Sequence, residues 1–440
     1  MESKDFRWLN KTVNIESLRQ AIDIPKTIEV IEEPPPELCL SCRGAKLLCG
    51  KSRCPILVKT DSISRINEIK SNVISGSAPP GIFVGRFGYP KVYVGPMSPN
   101  FYGDTEILDT PEQWYGKSID QIVDYRHSLI RGNKVVKVTD ASSGGNFIEK
   151  IQELSMASKP VDLELNLTKK PRNRITFSEN SQPFGPSAPL DSMTTSNISV
   201  DKRIEKSYYD RDLKSADGII NLYENGVLVT KIQKAFSTGS IGIGKNRKMV
   251  PTRWSITAVD DTISKALIKN IKQYPTIDEY RVYHLKHLDN LYITILLPVP
   301  WKFEWIEAWF PKTTWNQWGS SPYLIGDSEP YNGRKTYAVV GGCYYSTRLA
   351  TAEALKNEKR QASAILLREI HPGYVLPVGV WNVRESVRHQ LKTKPNKFDT
   401  LPQALQYAFS KLTINSKHWI SNSTLLKEAL YQTLITDFSS

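Results

Sequence analysis

The sequence predicts an α+β protein, a mixed-sheet domain with an N-terminal four-cysteine zinc knuckle and a more helical C-terminal domain. Three features predict it. Four of the five cysteines crowd into one short stretch, apolar residues alternate with glycine and proline in the first third, and a long helical pattern runs from about residue 347. With 440 residues and 40% apolar content, the chain has room for two or three ordinary cores.

The front is an arm, residues 1–36, closing in "EEPPPE", whose prolines are stiff and extended. It leads into "CLSCRGAKLLCGKSRC", within residues 37–60, which holds Cys39, Cys42, Cys49 and Cys54, while Cys343 stands alone. A C-x2-C turn aims two thiolates at one point, as a tetrahedral zinc site requires, and Gly44 and Gly50 let the loop turn tightly. Four thiolates close the tetrahedron and leave no place for a substrate water, so the zinc expected is structural, with an iron–sulfur cluster as the alternative. Such clustering does not suit a secreted disulfide scaffold. No apolar run reaches the roughly 18 residues of a membrane span and none follows "MESKDFRWLNK", so a cytoplasmic protein with no membrane partner is expected.

Next, "PPGIFVGRFGYPKVYVGPMSP" reads as short strands joined by tight turns, and a helix is expected at 118–131 with Ser118 as N-cap, Gly132 as stop, and Arg126, His127 and Arg131 exposed. Residues 171–200 are polar and rich in proline and serine, which suits a long loop. Beyond them come mixed strands through "LYITILLPVP", a tryptophan-rich segment, and a helix at 347–370.

Fifty-eight Lys and Arg against 45 Asp and Glu leave a net charge of +13, a field that favours polyanions. "RKMVPTRWSITAVDD" reads as a strand that interleaves Arg247, Lys248 and Arg253 with Trp254, cations for phosphates and an aromatic for base stacking. Arg86 and Lys91 are further phosphate-binding candidates. Asp260 and Asp261 are candidate ligands for magnesium or manganese, although they also precede a helical pattern and suit an N-cap. "GSIGIGK" comes near the phosphate-loop pattern, but Asn246 replaces Ser or Thr and Pro251 follows, so a glycine-rich turn is expected. His284 and His287, at an odd spacing on a strand, should point to opposite faces and share no metal. Trp301, Trp305 and Trp309 are in register on a helix and should bury one face. No nucleophile, base and orienter occur together.

The long strings "SSGGNFIEKIQELSMASKPVDLE", "RKMVPTRWSITAVDD", "YAVVGGCYYSTRLATAEAL" and "YVLPVGVWNVRESVR", with the cysteine stretch, "PPGIFVGRFGYPKVYVGPMSP" and "GPSAPL", resemble the archaeal Nre family of proposed DNA-repair factors. The resemblance implies an N-terminal α+β domain at 61–300, a C-terminal domain at 301–420, and a tail at 421–440 whose peptide binds the replication sliding clamp. Gln432, Ile435 and Phe438 match that peptide's pattern, with Ser439 where a second aromatic is common. A single 3₁₀ turn eclipses Ile435 and Phe438 into one apolar plug. The alternative is that Leu426, Leu430, Leu434 and Phe438 form one helix face packed on the protein itself. Two functions are expected from these features. One is a DNA-binding repair factor recruited by the clamp; the other is a metal-dependent enzyme acting on nucleic acid or a nucleotide, with Asp260 and Asp261 holding the cation.

Overall fold

A computed structural model describes residues 36–65, 69, 71–172 and 184–431. The arm, part of the 171–200 loop, and Gln432, Ile435 and Phe438 lie outside the described residues. The chain forms two compact units: residues 55–263, and residues 1–54 together with 264–440. Each carries its own mixed sheet with helices, so the molecule is α+β.

In the 55–263 unit the strands are β1 (Val73–Ala78), β2 (Ile82–Val84), β3 (Lys91–Ser98), β4 (Ile130–Lys137), β5 (Val161–Leu167) and β6 (Ser187–Thr195), in the order β1-β5-β6-β4-β3-β2. All neighbours are antiparallel except β4 and β6. "VDLELNL" shows why β5 forms: Val161, Leu163, Leu165 and Leu167 point into the core while Asp162 and Glu164 face water. Between β3 and β4 the backbones come so close that a Cβ on Gly95 would stand 1.5 Å from the Gly132 carbonyl oxygen. Helix α1 (Ile119–Ser128) starts where expected, with Ser118 and Gln121 forming a capping box. It stops sooner, because Ile130 already begins β4 and Gly132 lies inside that strand. Helix α2 (Asn146–Met156) packs Ile148, Ile151 and Leu154 onto the sheet.

Helix α3, Thr252–Ile271, corrects two expectations. "RKMVPTRWSITAVDD" is not a strand, and Asp260 and Asp261 are not N-caps. Pro251 marks the approach to a 20-residue helix that places both aspartates in its interior. The boundary between units falls inside α3, between Ile263 and Ser264. "GSIGIGK" is a turn with Gly239 and Gly242 at positive φ, and it runs into a short 3₁₀ turn, Gly244–Asn246, so that its glycines are not at the start of α3.

The second sheet has β7 (Tyr280–His287), β8 (Asn290–Leu297), β9 (Lys302–Trp309), β10 (Tyr323–Glu329), β11 (Ser363–Ile370) and β12 (Asn396–Phe398), ordered β10-β9-β11-β8-β7-β12. Its helices are α4 (Gly342–Glu358), α5 (Trp381–Gln390), α6 (Leu401–Lys411), α7 (Ser416–Asn422) and α8 (Thr424–Tyr431). The helix expected at 347–370 is instead α4 and β11: Lys359 takes a left-handed cap at φ 54° and the chain turns into a fully buried strand. Trp301, Trp305 and Trp309 are buried as expected, but on and beside strand β9 rather than on a helix. A spacing of four returns to the same face of either element. On the opposite face of β9, Ile306 and Ala308 join Leu405, Trp419 and Leu426 in an apolar core.

Candidate nucleic-acid interface

The turn joining β2 to β3, residues 85–90, carries Arg86, Phe87 and Tyr89. Gly88 takes φ 83° there, and the Lys91 N–H donates to its carbonyl at 2.9 Å. The Val84 N–H donates to Thr252 Oγ1 at 2.9 Å, which ties this turn to the start of α3. The Tyr89 and Trp254 rings then meet, centroids 5.3 Å apart. Arg253 is exposed beside Trp254, and the Arg86 guanidinium lies 4.8 Å above the Phe87 ring, itself 75% exposed. The structure thus brings Arg86, Arg253 and Trp254 to one corner from segments more than 160 positions apart.

The corner continues along the outer face of β3 and β4. The alternation in "KVYVG" buries Val92 and Val94 and turns Lys91 and Tyr93 outward, Tyr93 being 53% exposed. In register, Lys91 faces Lys137 and Tyr93 faces Val135, which is also exposed. Two ammonium groups directly across a ladder repel one another. Among the described residues neither ammonium group forms an ion pair, although the Lys137 backbone N–H donates to Asp140 Oδ2 at 2.9 Å. Sequence reasoning passed over Phe87, Tyr93 and Lys137, although the alternation in "PKVYVG" is the signal for Tyr93 and that of Val136, Lys137 and Val138 the signal for Lys137.

Other candidates fall elsewhere. Arg247 is buried, its Nε donating to the Gly242 carbonyl at 2.8 Å and its Nη2 to the Tyr208 carbonyl at 2.6 Å, and burial pulls its pKa below the ordinary value. It braces the glycine-rich turn. Lys248 is half-buried. Asp260 is buried and accepts from Gln233 Nε2 at 2.9 Å, and Asp261 is buried beside it. Nor are the residues expected to be exposed around α1 available: Arg126 packs over Trp114 and pairs with Asp109, and Arg131 lies between Phe83 and Phe184. Burial pushes Arg131 down to about 10. His127 is buried against Ser62 Oγ at 3.0 Å, and burial, helped by Lys59, pushes it down to about 4. His284 is exposed and His287 is buried, so the two point apart as the odd spacing requires.

The cysteine segment has its own geometry. Arg43 and Gly44, at φ 51° and 73°, reverse the chain after Cys42, and the Leu48 N–H donates to Cys42 Sγ at 3.5 Å. That N–H holds the Cys42 thiol below its ordinary pKa, the direction a metal thiolate needs. Gln317 Nε2 donates to the Cys49 carbonyl at 2.6 Å and anchors the loop. Four thiols are donors of the kind zinc takes, but among the described residues no three Cys, His, Asp or Glu side chains gather into a metal cluster.

Helix α8 precedes the terminal peptide. Glu304 on β9 accepts from Ser423 Oγ, from Thr424 N at 2.6 Å and from Leu425 N at 3.3 Å, so a buried carboxylate caps α8. Lys302 pairs with Glu428 at 2.6 Å. Leu426 is fully buried, but Leu430, one turn on, is 38% exposed. The apolar stripe anticipated from Leu426 onward leaves the core by Leu430.

Among the described residues no helix is long and apolar enough to cross a membrane. The sequence matches the family description "Archaeal Nre, N-terminal" over residues 48–316 and "Archaeal Nre, C-terminal" over residues 329–438. It is 45% identical over 397 residues to DNA repair protein NreB of Archaeoglobus fulgidus, covering 90% of this chain and 98% of that protein. It is 37% identical over 382 residues to DNA repair protein NreA of the same organism (87% and 95% covered). Against DNA repair protein NreA of Haloferax volcanii it is 34% identical over 380 residues, covering 84% and 90%. No solved structure matches.

Proposed function

Because the chain belongs to the archaeal Nre family, whose relatives above are named DNA repair proteins, we propose that it is a DNA-repair factor that binds DNA at the corner built by β3, β4 and the start of α3. The observation that supports this most directly is Lys91 facing Lys137 across the ladder beside exposed Tyr93. An anion laid along that face relieves the repulsion, and Tyr93 and Phe87 offer rings to exposed bases. Arg86 and Arg253 extend the positive edge. The test is fluorescence anisotropy with labelled DNA across a salt series. Lys91→Ala combined with Lys137→Ala should weaken binding and flatten the log–log salt slope by about 2, roughly one for each phosphate no longer neutralised. Unchanged affinity and slope would remove the face from the interface.

Recruitment by the sliding clamp through Gln432, Ile435 and Phe438 is the second part of the proposal. It is supported by the exposure of Leu430, where the chain already turns from its own core. Calorimetric titration of the clamp should show binding that disappears with Phe438→Ala and with residues 432–440 removed; binding indifferent to both changes overturns it. Zinc is assigned to Cys39, Cys42, Cys49 and Cys54 as a structural metal, on the donor set and the Leu48 N–H at Cys42. Purified protein should contain it, and a preparation whose metal content is untouched by Cys42→Ser contradicts the assignment. No observation favours the metal-dependent enzyme, since Asp260 and Asp261 are buried in a helix interior and Asp260 is engaged by Gln233.

A further inference from the structure

The outer face of β3 and β4 continues past Tyr93 to a third cation. Arg131, Val135 and Lys137 alternate onto one side of β4 and stand across the ladder from Met97, Tyr93 and Lys91. Arg131 and Lys137 are thus about 20 Å apart along the strand. Arg131 is half-buried, its guanidinium carbon 4.9 Å from the centre of the Phe83 ring and 4.8 Å from that of Phe184. Its Nε is buried and has no acceptor, and among the described residues no carboxylate offsets the burial that lowers its pKa. Arg126, packed on Trp114 in the same unit, has Asp109 as its counter-ion. A guanidinium stacked between rings with no anion beside it keeps its fork of donors for phosphate oxygens.

Between these cations the exposed Tyr93 ring is left uncovered by its neighbours. Across the hairpin from it is Gly85, whose N–H donates to the Tyr93 carbonyl at 2.7 Å. A Cβ on Gly85 would stand 3.6 Å from the Tyr93 Cβ, so a side chain there would lie against the ring. Two positions along β3, Gly95 adds no side chain either, and the face closes at Met97, buried with Leu108 and Leu129. Further across the sheet the charge changes sign, because Asp162 and Glu164 point outward from β5. A phosphate chain is therefore turned along β4 rather than across the sheet.

We propose that this face takes single-stranded DNA, its backbone running along β4 from the Lys91–Lys137 pair to the Arg131 guanidinium, with one base stacked on Tyr93. The proposal rests on the DNA-binding reading above and names the form of DNA that the face selects. A duplex keeps its base faces inside and presents its backbone, which serves the lysines and leaves the Tyr93 ring against water. An unpaired base covers that ring. The recessed position of Arg131 favours a flexible strand in the same way.

The experiment measures full-length protein by fluorescence anisotropy with one labelled oligonucleotide, single-stranded or annealed to its complement, across a salt series. The single strand should bind at least about fivefold tighter, the lower end of what one stacked base contributes. Tyr93→Ala should remove that preference by weakening the single strand alone, with the salt slope unchanged because no phosphate contact is lost, and Tyr93→Phe should retain it. Arg131→Met keeps an apolar stem between the rings. It should weaken the single strand and flatten its salt slope by about 0.7, the value of one phosphate on a single strand, while melting at or above the parent. Duplex bound as tightly as the single strand, or Tyr93→Ala without effect on the single strand, overturns the proposal; Tyr93 is exposed, so that variant does not depend on refolding a core. Arg131→Met with the parent's affinity and slope removes the arginine from the path of the strand and overturns the path proposed. Lys91→Ala with Lys137→Ala should weaken both forms of DNA. If it does while Tyr93→Ala does nothing, the DNA-binding face stands and the single-strand reading falls; if it weakens neither form, the face itself falls.

Discussion

On the second sheet Arg368 is inside the protein, whereas on the first sheet Lys91 and Lys137 are outside it. Arg368 lies fully buried on β11, donating to Glu307 at 2.9 Å and to Asn290 Oδ1 at 2.8 and 3.1 Å, with Tyr292, Trp309 and Tyr374 around its guanidinium. Lys91 and Lys137 face one another in water with exposed Tyr93 and Val135 alongside. A buried cation is held by a carboxylate whose desolvation it offsets, so it serves architecture. A repelling pair at the surface contributes nothing to the fold, which makes it the better marker of a polyanion partner.

The largest effect that follows concerns the buried side of this contrast. Arg368→Met removes the partner of Glu307 and leaves that carboxylate desolvated with, among the described residues, only Trp309 Nε1 still donating to it, at 3.2 Å. Destabilisation of about 3–5 kcal/mol is expected, measured by denaturant unfolding. The doubly changed Arg368→Met, Glu307→Gln protein should recover part of that loss, because the uncompensated charge is gone. A single variant as stable as the parent would mean that Glu307 finds water, and the contrast between the two sheets would weaken.

An intermediate effect is one that acid should have on both units alike. His127 in one unit and His287 in the other are buried, and burial pushes each down to about 4, so both are neutral in the folded protein near pH 7. The unfolded chain protonates them near 6.5. Between those values the unfolded state binds more protons, so stability is full above about 6.5 and falls as the pH drops towards 4. Thermal unfolding at pH 7 and pH 5 should show the lower melting temperature at pH 5, and His127→Gln should narrow the gap.

How much of this was legible in the sequence depended on whether one signal could decide between two geometries. The capping residue Ser118 and the alternation around Val92 and Tyr93 have a single reading, and both gave the right element. Tryptophans four apart suit a helix or a strand, and the buried Glu304 and Glu307 made β9 look amphipathic when each carboxylate is in fact engaged from inside. Asp260 and Asp261 looked like a helix start because the alternation of Trp254, Ser255, Ile256 and Thr257 before them reads as a strand, although it lies in the first turns of the helix. The corner itself was half legible: Arg86, Lys91, Arg253 and Trp254 were each visible as basic or aromatic residues. What brings Arg253 and Trp254 to the turn after β2 is one hydrogen bond from Val84 to Thr252 and one ring contact from Tyr89, and no local pattern encodes either.

The smallest effect should be the most telling about the exposed pair. If Lys91 and Lys137 are kept in spite of the fold, replacing one of them should leave stability unchanged or raise it. Lys137→Ser removes a like-charge neighbour across the ladder, a gain of about 0.2–1 kcal/mol. That gain should shrink as salt rises, since the Debye length falls to about 3 Å at 1 M. Thermal melts of the parent and Lys137→Ser at low and high salt read this directly. A variant that melts lower at every salt concentration would show that Lys137 supports the sheet through its aliphatic stem, and the face would then resemble the buried arginines more than a docking surface. A variant that melts at or above the parent while binding DNA less tightly would separate the two roles on one residue: stability given up at a β-ladder so that two positive charges stand ready for a polyanion.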